Sequence, residues 1–314
     1  MTSVIFLGTP NFGSVVLEGL VKKGYDVKAV VTQPDKKVGR KQVLHASQVK
    51  QMAQKYDLPV YQPAKLSGSN ELEELMKIEP DFIITAAYGQ FLPSKFLKTA
   101  KIAPVNVHGS LLPKYRGGAP IQYSLLNGDK ETGITIMEMV KKMDAGDIFA
   151  QKALKIEPED NSGILFDKLS IMGRDLLLKT LPKFLDNTIT RTAQDPDKVV
   201  FSPNISKQQE QITLEMTASQ ANNLIRALNP DPGAYLLLDG KRFKVWKAQV
   251  ADERTDLAAG SLVSNKKRFA LSFANGTVLE LLEVQPMGKK KMDIKSYING
   301  QGSHFKIGEK IVDD

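Results

Sequence analysis

At 314 residues the chain is too long for one typical core, so two domains are expected, and 42% hydrophobic with 25% charged residues fits an ordinary folded protein. No run of eighteen apolar residues is present to span a membrane, the absence of cysteine excludes disulfides and thiolate chemistry, and only three histidines (His45, His108, His304) argue against a metal centre. The net charge of +8 leans towards an anionic partner, although an excess of this size also suits a plain solvated surface.

The first residues have no basic region and run directly into an apolar stretch, so a secretory signal is not expected and a cytoplasmic location is. Ser3 to Leu7 reads as a strand ending at Gly8-Thr9-Pro10. A helix follows with Phe12, Val15, Val16 and Leu20 on one face, and Val27 to Val31 is a second buried strand. This alternation predicts a parallel sheet covered on both sides. Gly8 and Gly13 have phosphate-loop spacing, but Ser14 and Val15 stand where Lys and Ser/Thr are required. No G-x-G-x-x-G is present either, so both nucleotide motifs are rejected.

Thr32 to Leu44 is polar, with Lys36, Lys37, Arg40 and Lys41 against Asp35. It is either a solvated loop or a loop that grips phosphates. Ala46 to Tyr56 is helical by spacing, Pro59 to Tyr61 a short strand, Glu71 to Ile78 a helix, and Asp81 to Ala87 a strongly apolar strand. Tyr88 to Pro93 is the loop after it. Pro104 to His108 is the next strand; alternation points Asn106 and His108 one way and Val105 and Val107 the other, towards a core. Gly109 ends it, and Pro113, Gly117, Gly118 and Pro120 keep the next loop irregular. Polar side chains at the C-terminal end of a strand sit where open α/β sheets hold ligands. Gly133 to Val140 is a further strand, delivering Asp144 and Asp147 on a polar turn. Asn161 to Asn187 reads as one long amphipathic helix in which Pro182 is a kink or an early stop.

Thr188 to Gln211 lacks sustained periodicity and marks the boundary: a domain over 1–189, a linker over 190–205 and a second domain over 206–314 are expected. Thr217 and Gln220 form a capping box that opens a helix to Leu228. The remainder is strand-like, with hairpin turns at Asp239-Gly240 and Asn275-Gly276, which suggests a small barrel. Residues 206–314 carry sixteen Lys and Arg against thirteen Asp and Glu. The basic residues cluster at Lys241, Arg242, Lys244 and Lys247, at Lys266, Lys267 and Arg268, and at Lys289, Lys290 and Lys291, which favours contact with a phosphate backbone.

The run Asn106-Val-His108-Gly-Ser110-Leu-Leu-Pro113, then Tyr115-Arg116-Gly117, resembles the signature of the formyltransferases that use 10-formyltetrahydrofolate. Gly128-Asp129, Thr132-Gly133 and Met143-Asp144-Ala-Gly146-Asp147 follow in the family's order and spacing. Over its full length the chain is most similar to the branch of that family that formylates methionyl-tRNA. The resemblance implies a Rossmann-like, parallel-rich α/β N-terminal domain and a smaller OB-like β-barrel. It implies a catalytic set of Asn106, His108 and Asp144. It places folate at Ser110, Leu111, Leu112, Pro113, Phe91, Leu92 and Val140, with no metal. It implies tRNA contacts at Arg40, Lys36, Lys37, Lys41 and Lys289 to Lys291. The partners it implies are methionyl initiator tRNA and the folate donor, and the state a monomer. Where that branch reads Gly-Arg-Gly-Lys-Lys, this chain has Gly39-Arg40-Lys41-Gln42-Val43.

Formyl transfer to an amine forms a tetrahedral oxyanion, takes a proton from the amine and returns one to the folate nitrogen. The resemblance assigns Asn106 to the oxyanion and His108 to charge stabilisation or proton transfer. It assigns Asp144 to orienting His108, directly or through a water. Two rivals stand beside this reading. One is an enzyme of the same chemistry acting on a small amine such as a nucleotide sugar, which would not need the Arg40 loop or a basic barrel. The other is a non-catalytic RNA-binding protein, against which the intact Asn106, His108 and Asp144 argue.

Overall fold

The computed structural model describes residues 1–38 and 42–313. They form two compact units, 1–120 with 131–155 and 166–203, and 121–130 with 156–165 and 204–314.

The first part of the chain runs β1 (Ser3–Gly8), α1 (Asn11–Lys22), β2 (Asp26–Val31), β3 (Lys36–Val38), β4 (Val43–His45), α2 (Gln48–Lys55), β5 (Val60–Tyr61), α3 (Asn70–Met76), β6 (Phe82–Ala86), α4 (Ser94–Leu97), β7 (Ala103–His108), α5 (Pro120–Leu126), β8 (Glu131–Glu138), β9 (Ile148–Lys155) and α6 (Ser162–Leu185). One seven-stranded sheet orders these as β5-β2-β1-β6-β7-β8-β9. Its first four pairings are parallel and the last two antiparallel. Val4 to Leu7 are all fully buried, the mark of a central strand covered on both faces. Ile5 and Leu7 meet Ala29, Val31, Ile83, Leu72 and Phe96 on one side, as the two-residue period requires. Ser47 and Ser69 cap α2 and α3, accepting from Lys50 N and Leu72 N.

Strand order reverses between β1 and β6, and there α1 crosses the end of β6. A Cβ on Gly13 would lie 2.8 Å from the Ala86 carbonyl oxygen. The glycine spacing that mimics a phosphate loop is thus explained by close backbone approach.

Two segments differ from the sequence expectation. Thr32 to Leu44, read as a loop, contains the antiparallel ribbon β3–β4, with Lys36 opposite His45 and Val38 opposite Val43. β9 was not expected at all. It is an edge strand whose Gln151 to Ala153 are exposed, so its composition lacks the buried face that betrays a strand. Helix α6 is the one long helix expected there; it runs through Pro182 to Leu185, so the proline is not an early stop.

The second unit contains α7 (Ala218–Ala227), β10 (Tyr235–Leu238), β11 (Lys241–Arg254), β12 (Leu262–Asn265), β13 (Phe269–Ser272), β14 (Thr277–Pro286), β15 (Met292–Asp293), α8 (Ile294–Asn299) and β16 (Val312–Asp313). Both halves of the Thr217–Gln220 capping box are made. Asp239 and Gly240 both have positive φ, 49° and 69°, as a two-residue turn between β10 and β11 demands. The strands order as β12-β13-β14-β11-β10-β16, with β15 on β14. The two ends of that order meet where Ser261 bridges Lys310, which curls the sheet into a small antiparallel barrel. Leu236, Phe243, Phe269, Leu271, Leu279 and Tyr297 fill it.

Candidate active site

The pleat of β7 does what its alternation predicts: Val105 and Val107 are buried, and Asn106 and His108 share the opposite face at the strand's C-terminal end. Each is held by a specific partner. Thr85 on β6 donates its hydroxyl to Asn106 Oδ1 at 2.7 Å. With Oδ1 on that hydroxyl, the two N–H groups of the amide point away from Thr85, and Nδ2 has no hydrogen-bond partner among the described residues. His108 is 5% exposed, and its Nε2 lies 2.9 Å from the carbonyl oxygen of Tyr115. A carbonyl only accepts, so Nε2 carries the hydrogen, and in the neutral ring Nδ1 is the basic nitrogen. Tyr115 stands at φ +67°, and Ser202 Oγ donates to the same carbonyl at 3.1 Å.

Nδ1 faces Asp144. The Asp144 Oδ2 to His108 Nδ1 separation is 3.8 Å, within ion-pair reach but beyond a hydrogen bond. Oδ2 has its own donor instead, the backbone N–H of Gly117 at 2.9 Å. The loop carrying Asp144 lies tight against the end of β8: a Cβ on Gly146 would sit 2.1 Å from the Glu138 carbonyl oxygen, so only glycine fits there.

The loop after β7 is internally bonded. Ser110 Oγ donates to the Lys114 carbonyl at 2.6 Å. Thr135 on β8 donates to the Ser110 carbonyl at 2.6 Å and accepts from Leu112 N at 3.1 Å, and Gln151 on β9 donates to the Leu112 carbonyl at 2.8 Å. The peptide bond from Leu112 to Pro113 is cis. Leu112 is buried, and Leu111 packs on Gly133. The Ser110 hydroxyl therefore shapes the loop.

A cleft of about 840 Å³ opens at the β1–β6 reversal, lined by Thr9, Gln33, Lys36, Ala64, Lys65, Ser67 and Ala87 to Phe91. Of the expected site residues it gathers Phe91 and Lys36. Phe91 is 56% exposed, while Leu92 is buried in the core and Val140 is exposed outside the cleft lining. The Tyr88 hydroxyl beside it is buried, has no partner among the described residues, and is pushed up to about 12 by desolvation, so it stays a neutral phenol. Sequence reasoning did not single out Thr9, Gln33 and Lys65, which line the cleft, or Thr85, which holds Asn106, because their placement comes from neighbours on other strands.

Lys36 and Lys37 are exposed on β3. Arg40 and Lys41 lie outside the described residues. Lys289, Lys290 and Lys291 are exposed on the turn between β14 and β15 of the second unit. Lys291 pairs with Glu283 at 3.0 Å and stands 5.1 Å over the Trp246 ring. Lys289 and Lys290 have no carboxylate within ion-pair distance among the described residues. Among the described residues no group of three or more metal-ligating side chains occurs, and no helix is long and apolar enough to cross a membrane.

An Asn and a His on one strand face, opposite an Asp on the neighbouring loop, is an arrangement suited to acyl transfer, and the comparisons agree. The formyl transferase family matches residues 1–181, and its C-terminal domain matches residues 204–302. This chain belongs to the formyl transferase family. A methionyl-tRNA formyltransferase from Lactobacillus gasseri is 79% identical over 314 residues, covering 100% of both chains, and that of Lactobacillus acidophilus is 69% identical over 313 residues, again across 100% of both. Among solved structures, an N-formyltransferase from Helicobacter canadensis in complex with folinic acid and dTDP-3-aminofucose superposes with a TM-score of 0.69 at 20% identity, over 91% of this chain and 100% of that one. At that identity it establishes the shared fold of these formyl transferases.

Proposed function

We infer that this protein transfers the formyl group of 10-formyltetrahydrofolate to the α-amino group of methionyl-tRNA, producing the N-formylmethionyl-tRNA that initiates translation. The observation that carries this reading is full-length identity of 79% to a methionyl-tRNA formyltransferase. The site chemistry supports it. The two unpaired N–H groups of Asn106 supply donors for the oxygen that becomes anionic as the amine adds to the formyl carbon. His108, with Nε2 bound to Tyr115, takes the amine proton at Nδ1 and returns it to the departing folate nitrogen. Asp144, at 3.8 Å, stabilises the imidazolium by charge rather than by a direct hydrogen bond. The exposed Phe91 ring offers an apolar wall for the flat heterocycle, backbone groups of 88–91 in the cleft supply contacts for its polar edge, and the 110–113 loop beyond His108 belongs to the same proposed folate set. Leu111, Leu112, Leu92 and Val140 complete the proposed folate set.

In this reading residues 1–189 are catalytic, 190–205 join them to 206–314, and the second domain contacts tRNA. The protein works as a cytoplasmic monomer. The tRNA-facing residues are Lys36, Lys37, Arg40, Lys41 and Lys289 to Lys291. A labelled formyl-transfer assay tests the whole reading: charged initiator tRNA is expected to accept the label from 10-formyltetrahydrofolate, and a dTDP-amino sugar is not. Transfer to the sugar alone would overturn it.

Replacing Lys289, Lys290 and Lys291 by Gln is expected to weaken tRNA binding equally for initiator and other tRNAs, because phosphate contacts carry no sequence information. Each lost contact flattens the dependence of log affinity on log salt by about 0.7–0.9. Lys289 and Lys290, without carboxylate partners, are expected to account for more of the change than Lys291. Identical affinity and slope in the triple variant would leave this cluster merely solvated.

A further inference from the structure

We infer that Gln194 is a positioning residue for the Asp144 carboxylate, a conclusion that rests on the catalytic role proposed for Asp144 above. Gln194 lies in the stretch that the sequence presents as a linker, yet its carboxamide is fully engaged in the first unit. Nε2 donates to the carbonyls of Asp144 and Gly146, both at 2.8 Å. Oε1 accepts from Arg116 Nε at 3.0 Å and from Nη2 at 2.8 Å. The amide has one possible orientation. A guanidinium offers only donors, so the atom facing it must be the oxygen, and both N–H groups must point at the Asp144 loop.

The rest of the clamp is equally fixed. Arg116 is 5% exposed, its backbone N–H donates to Val200 O at 2.9 Å, and its carbonyl accepts from Ser202 N at 2.8 Å. The segment carrying Gln194 is thereby stitched to the loop after β7. Thr192 makes a second such pairing, with Ile148 at the start of β9. Asp144 has φ +48°, a left-handed backbone that a residue with a Cβ keeps only when its surroundings hold it. One amide gripping the carbonyls on either side of Ala145 holds that turn. The turn in turn places Oδ2 on the N–H of Gly117, the residue next to Arg116, and 3.8 Å from His108 Nδ1. Without the grip, the loop relaxes towards ordinary backbone and carries the carboxylate away from the imidazole. A displacement of about 1 Å in a catalytic constellation costs about 10²-fold in rate.

The test uses Gln194→Glu, which keeps an oxygen on Arg116 but loses both donors to the loop, and Gln194→Met, which loses everything but volume. Both are expected to lower kcat for formyl transfer by about 10–100-fold with KM for both substrates and the melting temperature close to the parent's. In an Asp144→Ala background the same substitutions are expected to cost nothing further, since the group they position is gone. Parent-like kcat in both variants overturns the inference, and so does an equal loss in the Asp144→Ala background. Parent-like kcat in Asp144→Ala alone is a separate result, which overturns the role of Asp144 itself. If Gln194→Met fails to fold, Gln194→Glu, with its Arg116 pair retained, decides.

Discussion

His108→Ala is expected to lower the rate of formyl transfer by about 10²–10⁴-fold, the usual contribution of a positioned proton-transfer group. Three features of the structure make this a statement about chemistry. The ring is 5% exposed, so bulk water does not readily replace it as a proton acceptor. Its tautomer is set by the Tyr115 carbonyl, which leaves Nδ1 as the working nitrogen. That carbonyl keeps the Ser202 hydroxyl when the ring is removed, so the substitution does not strand a buried acceptor. Folate affinity is expected to change little, because the cleft residues at 88–91 are untouched. Single-turnover transfer, donor binding and the melting temperature of the variant together check this. A variant that transfers formyl at the parent rate removes His108 from the mechanism.

Asn106→Ala is expected to cost about 10²–10³-fold, the effect typical of deleting one oxyanion donor. Asn106→Asp is the sharper probe. It is isosteric and still accepts from Thr85, so the local packing survives, but both N–H donors are replaced by a negative charge where an oxyanion must form. It is expected to be at least as slow as Asn106→Ala, with the loss in kcat rather than in KM. If Asn106→Asp transfers formyl faster than Asn106→Ala, Asn106 is not an oxyanion donor and its role is only to anchor Thr85.

The elements that carry these groups were legible because each rests on a local rule. The buried run Val4 to Leu7, the alternation in β7, the Thr217–Gln220 capping box and the Asp239-Gly240 turn all depend on residues a few positions apart. So does the shared face of Asn106 and His108, since a pleat points every second side chain the same way. The charge clusters, too, are plain counts along the chain. Edge strand β9 and ribbon β3–β4 were not legible, because an exposed strand has no apolar face to display and gets its identity from the partner it pairs with.

The working state of the site belongs to tertiary structure for the same reason. Which nitrogen of His108 is basic depends on a carbonyl at Tyr115, held in turn by Ser202, eighty-seven positions away. Which end of Asn106 is free depends on Thr85 of a neighbouring strand, and where Asp144 stands depends on Gln194, fifty positions further on. Residue type states which hydrogen bonds a side chain is able to make. Only the packing of strands and loops distant in the chain determines which of them are made, and therefore which nitrogen, oxygen or amide is left to meet a substrate.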